Sequence, residues 1–309
     1  MTAAPERILA LAEERAMAKA NRDFATADRL RAEIEGAGWR VLDTPDGFTL
    51  TEKPLYELSA SLAAIGFAPL PSSISVGLIV DGWWSDAQDC LDALIAHSEA
   101  SIYVLDVTGD DILSRALAAY AAAHADRVRV AHLQDDPGWG PATRRLAELS
   151  TAPLHVLIDP STVLLGPALD PLVEAFADAQ VVGAGWKGAL VDVADEWRSV
   201  VDAGPGEVDV LLGYLMMVRR ESLLATEYPS SKARFYRNAD LELSLGLRSA
   251  GGRLVAMDLP VEQRRHHGYH DSDPQVRERE SKRNYDRILN AFRGRTELLS
   301  ARNPARDLG

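Results

Sequence analysis

From about residue 74 to residue 177, short apolar runs alternate with amphipathic stretches, and this alternation limits the fold more than any other feature of the chain. Ser75–Val80, Ser101–Leu105, Arg127–Leu133 and Leu154–Ile158 have strand length and composition. Between and after them, Asp86–His97, Ile112–Ala123, Pro141–Leu149 and Leu169–Ala177 carry helical spacing, with Ser85 placed to cap the first. Strands that alternate with helices build βαβ units, and these close into a parallel sheet covered on both faces. A strand buried on both faces needs no polar side, which suits the unbroken run Val156-Leu157-Ile158. Further along, Pro274–Phe292 reads as a highly charged closing helix.

The segment before residue 74 has a different pattern. Ile8, Leu9, Ala12 and Ala16, then Phe24, Ala27, Leu30 and Ile34, recur at helical spacing, and Gly36 and Gly38 stop the second helix. Trp39–Leu42 and Phe48–Leu50 read as short strands about the turn Asp43-Thr44-Pro45-Asp46-Gly47. The expectation is a helical hairpin with a small β-hairpin. Leu55–Ser73, with Pro69, Pro71 and two serines, reads as a join. The expected division is a small module with its linker over 1–72 and an α/β domain over 73–309.

The 309 residues carry a net charge of −13, which opposes a nucleic-acid partner. Cys90 is the single cysteine, so neither an intrachain disulfide nor a thiolate metal cluster can form, and its helical setting fits a small buried apolar residue. Met1–Glu14 lacks an apolar leader core, and no run has the length of a membrane span. The expected compartment is the cytoplasm.

Ligands of open α/β sheets sit beyond the carboxyl ends of the strands. There the chain places Asp81-Gly82-Trp83-Trp84, Asp106-Val107-Thr108-Gly109-Asp110, Asp136-Pro137-Gly138-Trp139-Gly140 and Asp159-Pro160-Ser161-Thr162. Carboxylates, glycines and aromatic rings thus converge on one edge, as a ligand cleft requires.

These segments, in this order, resemble family 2 glycosyltransferases of the GT-A type over about residues 74–295. The resemblance implies a Rossmann-like, mostly parallel sheet flanked by helices and an inverting transfer from a nucleotide-sugar donor to an acceptor that the sequence does not identify. It implies a nucleotide held by Asp81, Gly82, Trp83, Asp106 and Gly138, with Asp159 facing the diphosphate. It also implies Mg²⁺ or Mn²⁺ at Asp159, where the family has Asp-x-Asp, and His267 is the nearest match to the family's metal-binding histidine. The stretch 211–220 resembles the family's strand before the acceptor-side helix, and 238–251, opening Asn238-Ala239-Asp240-Leu241-Glu242-Leu243, resembles that helix, which implies Asp240 as the general base; a plain helix cap at Asn238 or Asp240 is the competing reading. His266, His267 and His270 can equally belong to an exposed polar loop, with Gly268 opposing a helix.

Ser161, Ala239, Gly246 and Arg144 depart from the family pattern, so a catalytically degenerate binding or scaffold protein is the alternative. Separately, Arg22-Asp23-Phe24-Ala25-Thr26-Ala27-Asp28, with Gly38-Trp39 and Asp43–Gly47, resembles the C-terminal tail of cysteinyl-tRNA synthetases over about residues 5–52. That second resemblance implies an RNA contact; the mixed charges of the segment favour the competing reading, a helical hairpin that packs on the main domain or on a partner, and in the scaffold alternative the module is a docking element.

Overall fold

The computed structural model describes residues 4–45 and 47–306. Asp46 of the expected turn and Met1–Ala3 of the N-terminal segment lie outside the described residues. The chain divides into two compact units, Met1–Glu57 and Leu58–Gly309.

In the first unit, helices α1 (Glu6–Ala20) and α2 (Phe24–Gly36) precede the antiparallel strands β1 (Trp39–Thr44) and β2 (Gly47–Glu52). The Asp23 carboxylate caps α2 by accepting from the Thr26 N–H at 3.1 Å. Ile8, Ala12, Ile34, Trp39 and Val41 form the core. The buried Arg15 donates twice to Asp43, at 2.8 and 3.2 Å, and Lys19 adds a third bond at 2.6 Å. Together they hold the Asp43 carboxyl well below the usual carboxylate range.

The second unit begins with β3 (Leu58–Ser59), then β4 (Ile74–Val80), α3 (Trp84–His97), β5 (Ser101–Asp106), α4 (Asp111–Ala123), β6 (Val128–Leu133), α5 (Trp139–Leu149), β7 (Leu154–Ile158) and β8 (Thr162–Leu164). It continues with α6 (Leu169–Ala175), β9 (Val181–Gly185), β10 (Gly188–Val191), β11 (Val200–Ala203), β12 (Gly206–Val208), β13 (Val210–Leu211), β14 (Leu215–Arg219) and α7 (Arg220–Ala225). It closes with α8 (Ala239–Ser249), β15 (Arg253–Ala256), β16 (Val261–Gln263), α9 (His267–His270) and α10 (Pro274–Phe292).

Nine strands form one sheet in the order β12-β15-β9-β14-β7-β4-β5-β6-β3. The run β7-β4-β5-β6-β3 is parallel throughout, and β9 is parallel to β15. β14 enters antiparallel between β7 and β9, and β12 pairs antiparallel with β15. The expected mostly parallel α/β sheet is present. Residues 58–59 of the expected join add its edge strand, because Leu58 and Ser59 pair with His132 and Leu133.

Strand alternation explains the layering. Val76, Leu78 and Val80 of β4 face one side and pack with Cys90, Leu91 and Leu94 of α3. Tyr103 and Leu105 of β5 face the other side and pack with Ala142 and Leu146 of α5. Cys90 is fully buried, as its apolar setting predicts.

Four local expectations are corrected. Ser85 does not cap α3, which starts two residues earlier than expected, at Trp84, behind Trp83 in the left-handed region, at φ 52°. Asn238 does not cap α8 through its side chain, which instead donates to the Ser281 carbonyl at 3.1 Å. The expected strand 211–220 is broken at Leu212–Tyr214, where Gly213 turns its N–H toward α8. His267–His270 forms a single helical turn despite Gly268.

Candidate functional site

A cavity of about 430 Å³ opens at the carboxyl ends of β4 and β7 and is walled by α5, the start of α8 and the segment 266–270. Asp81, Gly82, Trp83, Asp159, Asp240 and His267 all line it. Four separate stretches of sequence therefore meet around one volume of a size suited to a small organic ligand.

Asp159 follows β7 directly. Its Oδ1 accepts from the Ser161 N–H at 2.9 Å and from the Ser161 hydroxyl, and its Oδ2 lies 3.0 Å from His266 Nε2. Burial alone would raise the Asp159 carboxyl, but the bonds from His266 and Ser161 outweigh it and lower the pKa. Burial likewise opposes charge on His266, yet the bond to Asp159 and the charges of Asp159 and Asp81 prevail and raise it.

Strand pairing delivers His266 to this place. β16 lies antiparallel on β8 with Gln263 opposite Thr162, and the Gln263 amide donates to Ser161 Oγ at 2.6 Å. Tyr236 stacks on the His266 ring at 4.6 Å, and Tyr214 meets it edge-on at 6.4 Å. Asp81, exposed to the cavity, is raised to about 6 by desolvation within it and by the nearby Asp159.

Asp240 begins α8. Its Oδ2 accepts from the Gly213 N–H at 2.8 Å and its Oδ1 from the Leu241 N–H at 2.9 Å. Burial pushes the carboxyl up to about 6 against those two bonds. A carboxylate poised near neutral pH, held by the backbone at a cavity wall, can accept a proton from a bound hydroxyl.

Three sequence-level assignments come out differently. Asp106 is 1% exposed and does not line the cavity: its carboxylate accepts from Thr108 N at 3.0 Å, from the Ser114 hydroxyl at 2.5 Å and lies 2.7 Å from His132 Nδ1. Those bonds outweigh burial and keep it ionised. Gly138 does not line the cavity either; a β-carbon there would meet Arg234 Cα at 2.9 Å, so it serves close packing of α5 on residues 233–234. His267 does not reach Asp159 in any bond given by the structure; it stacks on Trp83 at 5.3 Å and lies between Asp271 and, at 3.5 Å, Asp86. His266 takes the place expected of it, because the turn after β16 presents the earlier of the two rings to β7. Tyr236, Tyr214 and Thr143, which also line the cavity, were not singled out by the sequence: the first two stand in irregular segments, and Thr143 reads as one more position of a helix.

No family model matches the chain. The N-terminal segment is similar to cysteine–tRNA ligases: 56% identity over 46 residues with that of Opitutus terrae, and 54% over 43 residues with that of Burkholderia lata. These matches span 15% and 14% of this chain and 10% and 9% of the ligases. Among solved structures, GalNAc-T7 crystallised with UDP, GalNAc and Mn²⁺ superposes at a TM-score of 0.57 and 15% identity, covering 71% of this chain and 47% of that one. A mannosyltransferase of Pyrobaculum calidifontis in complex with GDP-Man and Mn²⁺ is found at a TM-score of 0.49 and 14% identity, covering 79% and 75%. The fold is a mixed α/β fold like that of glycosyltransferases. The chain spans about a tenth of the ligases and under half of GalNAc-T7.

Proposed function

We propose that residues 58–309 form a nucleotide-sugar-dependent glycosyltransferase of the family 2 type, acting with inversion, and that the N-terminal module is a docking element. The observation that carries this reading is the meeting of Asp159, paired with His266, and the raised carboxyl of Asp240 in one cavity. The acceptor hydroxyl gives its proton to Asp240, its oxygen bonds to the anomeric carbon, and the bond from that carbon to the nucleoside diphosphate breaks.

A divalent cation fits this donor set in a limited way. Among the described residues, no three His, Cys, Asp or Glu side chains gather into one site. Mg²⁺ and Mn²⁺ take only one or two protein groups where a diphosphate completes the shell. Asp159 and His266 would hold such an ion, with His266 neutral, and the ion would offset charge on the leaving diphosphate. Asp81 and Trp83 belong to the nucleotide wall in this reading.

Asp240→Asn keeps an acceptor for the Gly213 N–H but removes the base. Its expected result is loss of sugar transfer with nucleotide binding retained, read by product assay and calorimetric titration with UDP and GDP sugars in Mn²⁺. Transfer at the wild-type rate would overturn the assignment. Ser161, standing where the second acid of a metal pair is expected, favours a second reading: a domain that binds nucleotide without turnover. Tight binding with no transfer to any acceptor tested would select it.

A further inference from the structure

The charged helix α10 has so far had no part in the cavity, yet it governs a cation at its mouth. Among the described residues, Arg237 is the one arginine or lysine that lines the cavity, against the carboxylates of Asp81, Asp86, Asp159 and Asp240. It is exposed and so within reach of a ligand.

The main chain about Arg237 is pinned to α10. Asn284, 1% exposed, donates its side-chain amide to the Phe235 carbonyl at 2.7 Å and to the Arg237 carbonyl at 2.8 Å. Both N–H groups of a buried amide are thus spent on fixing this backbone. Asn238 adds its bond to the Ser281 carbonyl.

The side chain is laid on Tyr269, another lining residue. Arg237 Nη1 donates to the Tyr269 hydroxyl at 2.6 Å, with the guanidinium 4.8 Å from the ring centre. Arg277 of α10 stands 4.4 Å from the same ring centre and donates to the Tyr269 carbonyl at 2.5 Å. The other basic residues of α10 have acidic partners: Arg279 and Arg283 share Glu280, Lys282 pairs with Asp286, and Arg287 pairs with Glu242. Arg277 and Arg237 form no ion pair among the described residues; their bonds go to Tyr269. In a chain of net charge −13, two guanidinium groups on one neutral ring are left without a carboxylate. Their mutual repulsion falls when an anion arrives, and the guanidinium fork matches a phosphate or a carboxylate.

Arg237 precedes α8 and stands beside its first acid. Burial raises the Asp240 carboxyl, and Arg237 is among the groups that oppose this rise. Burial and nearby carboxylates raise Tyr214, and there too Arg237 acts in the opposite sense.

We propose that the acceptor is an anionic hydroxyl compound, held by a phosphate or carboxylate group on Arg237 while its hydroxyl faces Asp240. This rests on the transferase reading above and names the class of acceptor that it takes. Arg277 is a positioning residue: it braces Tyr269 and adds its field at the mouth.

The test is calorimetric titration of the full chain, saturated with UDP or GDP in Mn²⁺, with glucose 6-phosphate, glucuronate and glucose, which share one hydroxyl scaffold. The phosphate or the carboxylate is expected to bind roughly 10-fold or more tighter than glucose, and the two arms tell which oxyanion the site prefers. Arg237→Gln should weaken the preferred anion roughly 10- to 100-fold, and Arg277→Gln roughly 10-fold, with glucose and nucleotide binding held. A merely structural role would lower the binding of glucose and anion alike. Arg237→Lys should restore part of the loss. Glucose binding as tightly as both anions, or anion binding unchanged in both Gln variants, would overturn the subsite and leave the transferase reading standing. A parallel loss of nucleotide affinity in Arg237→Gln would assign the cation to the donor diphosphate and also overturn it. Should no nucleotide bind the wild type, the transferase reading falls, and the same three titrations of the free chain still decide the anion subsite.

Discussion

Asp240 carries opposite demands on activity and stability. Transfer requires it as a carboxylate, so kcat/KM should rise with pH through about 6, its raised pKa. The stability effect has the other sign: a carboxyl raised above 3.8 stabilises the fold at low pH, and that contribution is lost as pH climbs through about 6. The rise corresponds to about 3 kcal/mol. Asp240→Asn should therefore be more stable than the wild type at pH 8, by up to about 3 kcal/mol in chemical denaturation, even as transfer disappears. Asp81 and Asp159 were legible as candidates because strand ends can be placed from pattern, and Asp240 because its segment resembles the family's acceptor-side helix. Asp106 occupies an equivalent strand end, yet its partners come from the next strand and the first turn of α4, and no spacing reveals that His132 and Ser114 fold back onto it. The exchange of His267 for His266 is a one-residue difference inside a turn whose entry angle is set by β16 on β8.

Helix α8 is held more firmly than its sequence suggests. Arg248, buried near its end, donates to the Val208 carbonyl at 3.1 Å and to Glu207 Oε1 at 3.2 Å. Arg248→Ala leaves Glu207 with Arg253 alone, at 3.2 Å, and takes a donor from the Val208 carbonyl, and should cost about 1–3 kcal/mol, read as a lower denaturation midpoint. Gly246, where the resembled family carries an arginine, faces Tyr228: a β-carbon would sit 2.5 Å from the Tyr228 ring. Gly246→Ala should destabilise by about 1–3 kcal/mol through this overlap, despite the better helix propensity of alanine. The departure at Gly246 is thus a packing solution, and so is Arg144, which donates to the Leu224 carbonyl at 3.0 Å. Alternating hydrophobicity made α3 to α6 and β4 to β7 legible. It did not reveal the short strands β8 to β13, because segments of two to five residues hold too few side chains to display a period.

Across the whole molecule, every residue lining the cavity lies between Gly77 and His270, within the second unit. A chain beginning at Leu58 should bind nucleotide with unchanged affinity, measured by calorimetry; a large loss would assign the first unit a part in binding. The first unit has its own acid sensitivity. The Asp43 carboxyl, held low by Arg15 and Lys19, contributes stability above pH 3.8 that is lost as pH falls further. Among the described residues, no helix is long and apolar enough to cross a membrane. The parallel half of the sheet could be foreseen from βαβ order. The antiparallel entry of β14 between β7 and β9 could not, since it depends on a long excursion through β10 to β13.

The start of α5 is clasped by the segment that leads into α8: Trp139 N–H donates to the Arg234 carbonyl at 3.2 Å, and Gly140 N–H to Ala233 at 2.8 Å. A β-carbon on Gly140 would fall 2.3 Å from the Ser230 carbonyl. The start of α5 and the segment that leads into α8 are therefore interlocked through main chain as well as side chains, since Glu242 of α8 accepts from the Ser230 N–H at 3.3 Å and Arg234 donates to the Asp136 carbonyl at 3.2 Å. Anyone recombining this scaffold to alter donor choice should transplant 137–149 and 230–249 as a single cassette, because either segment grafted alone would arrive at a socket cut for a different neighbour.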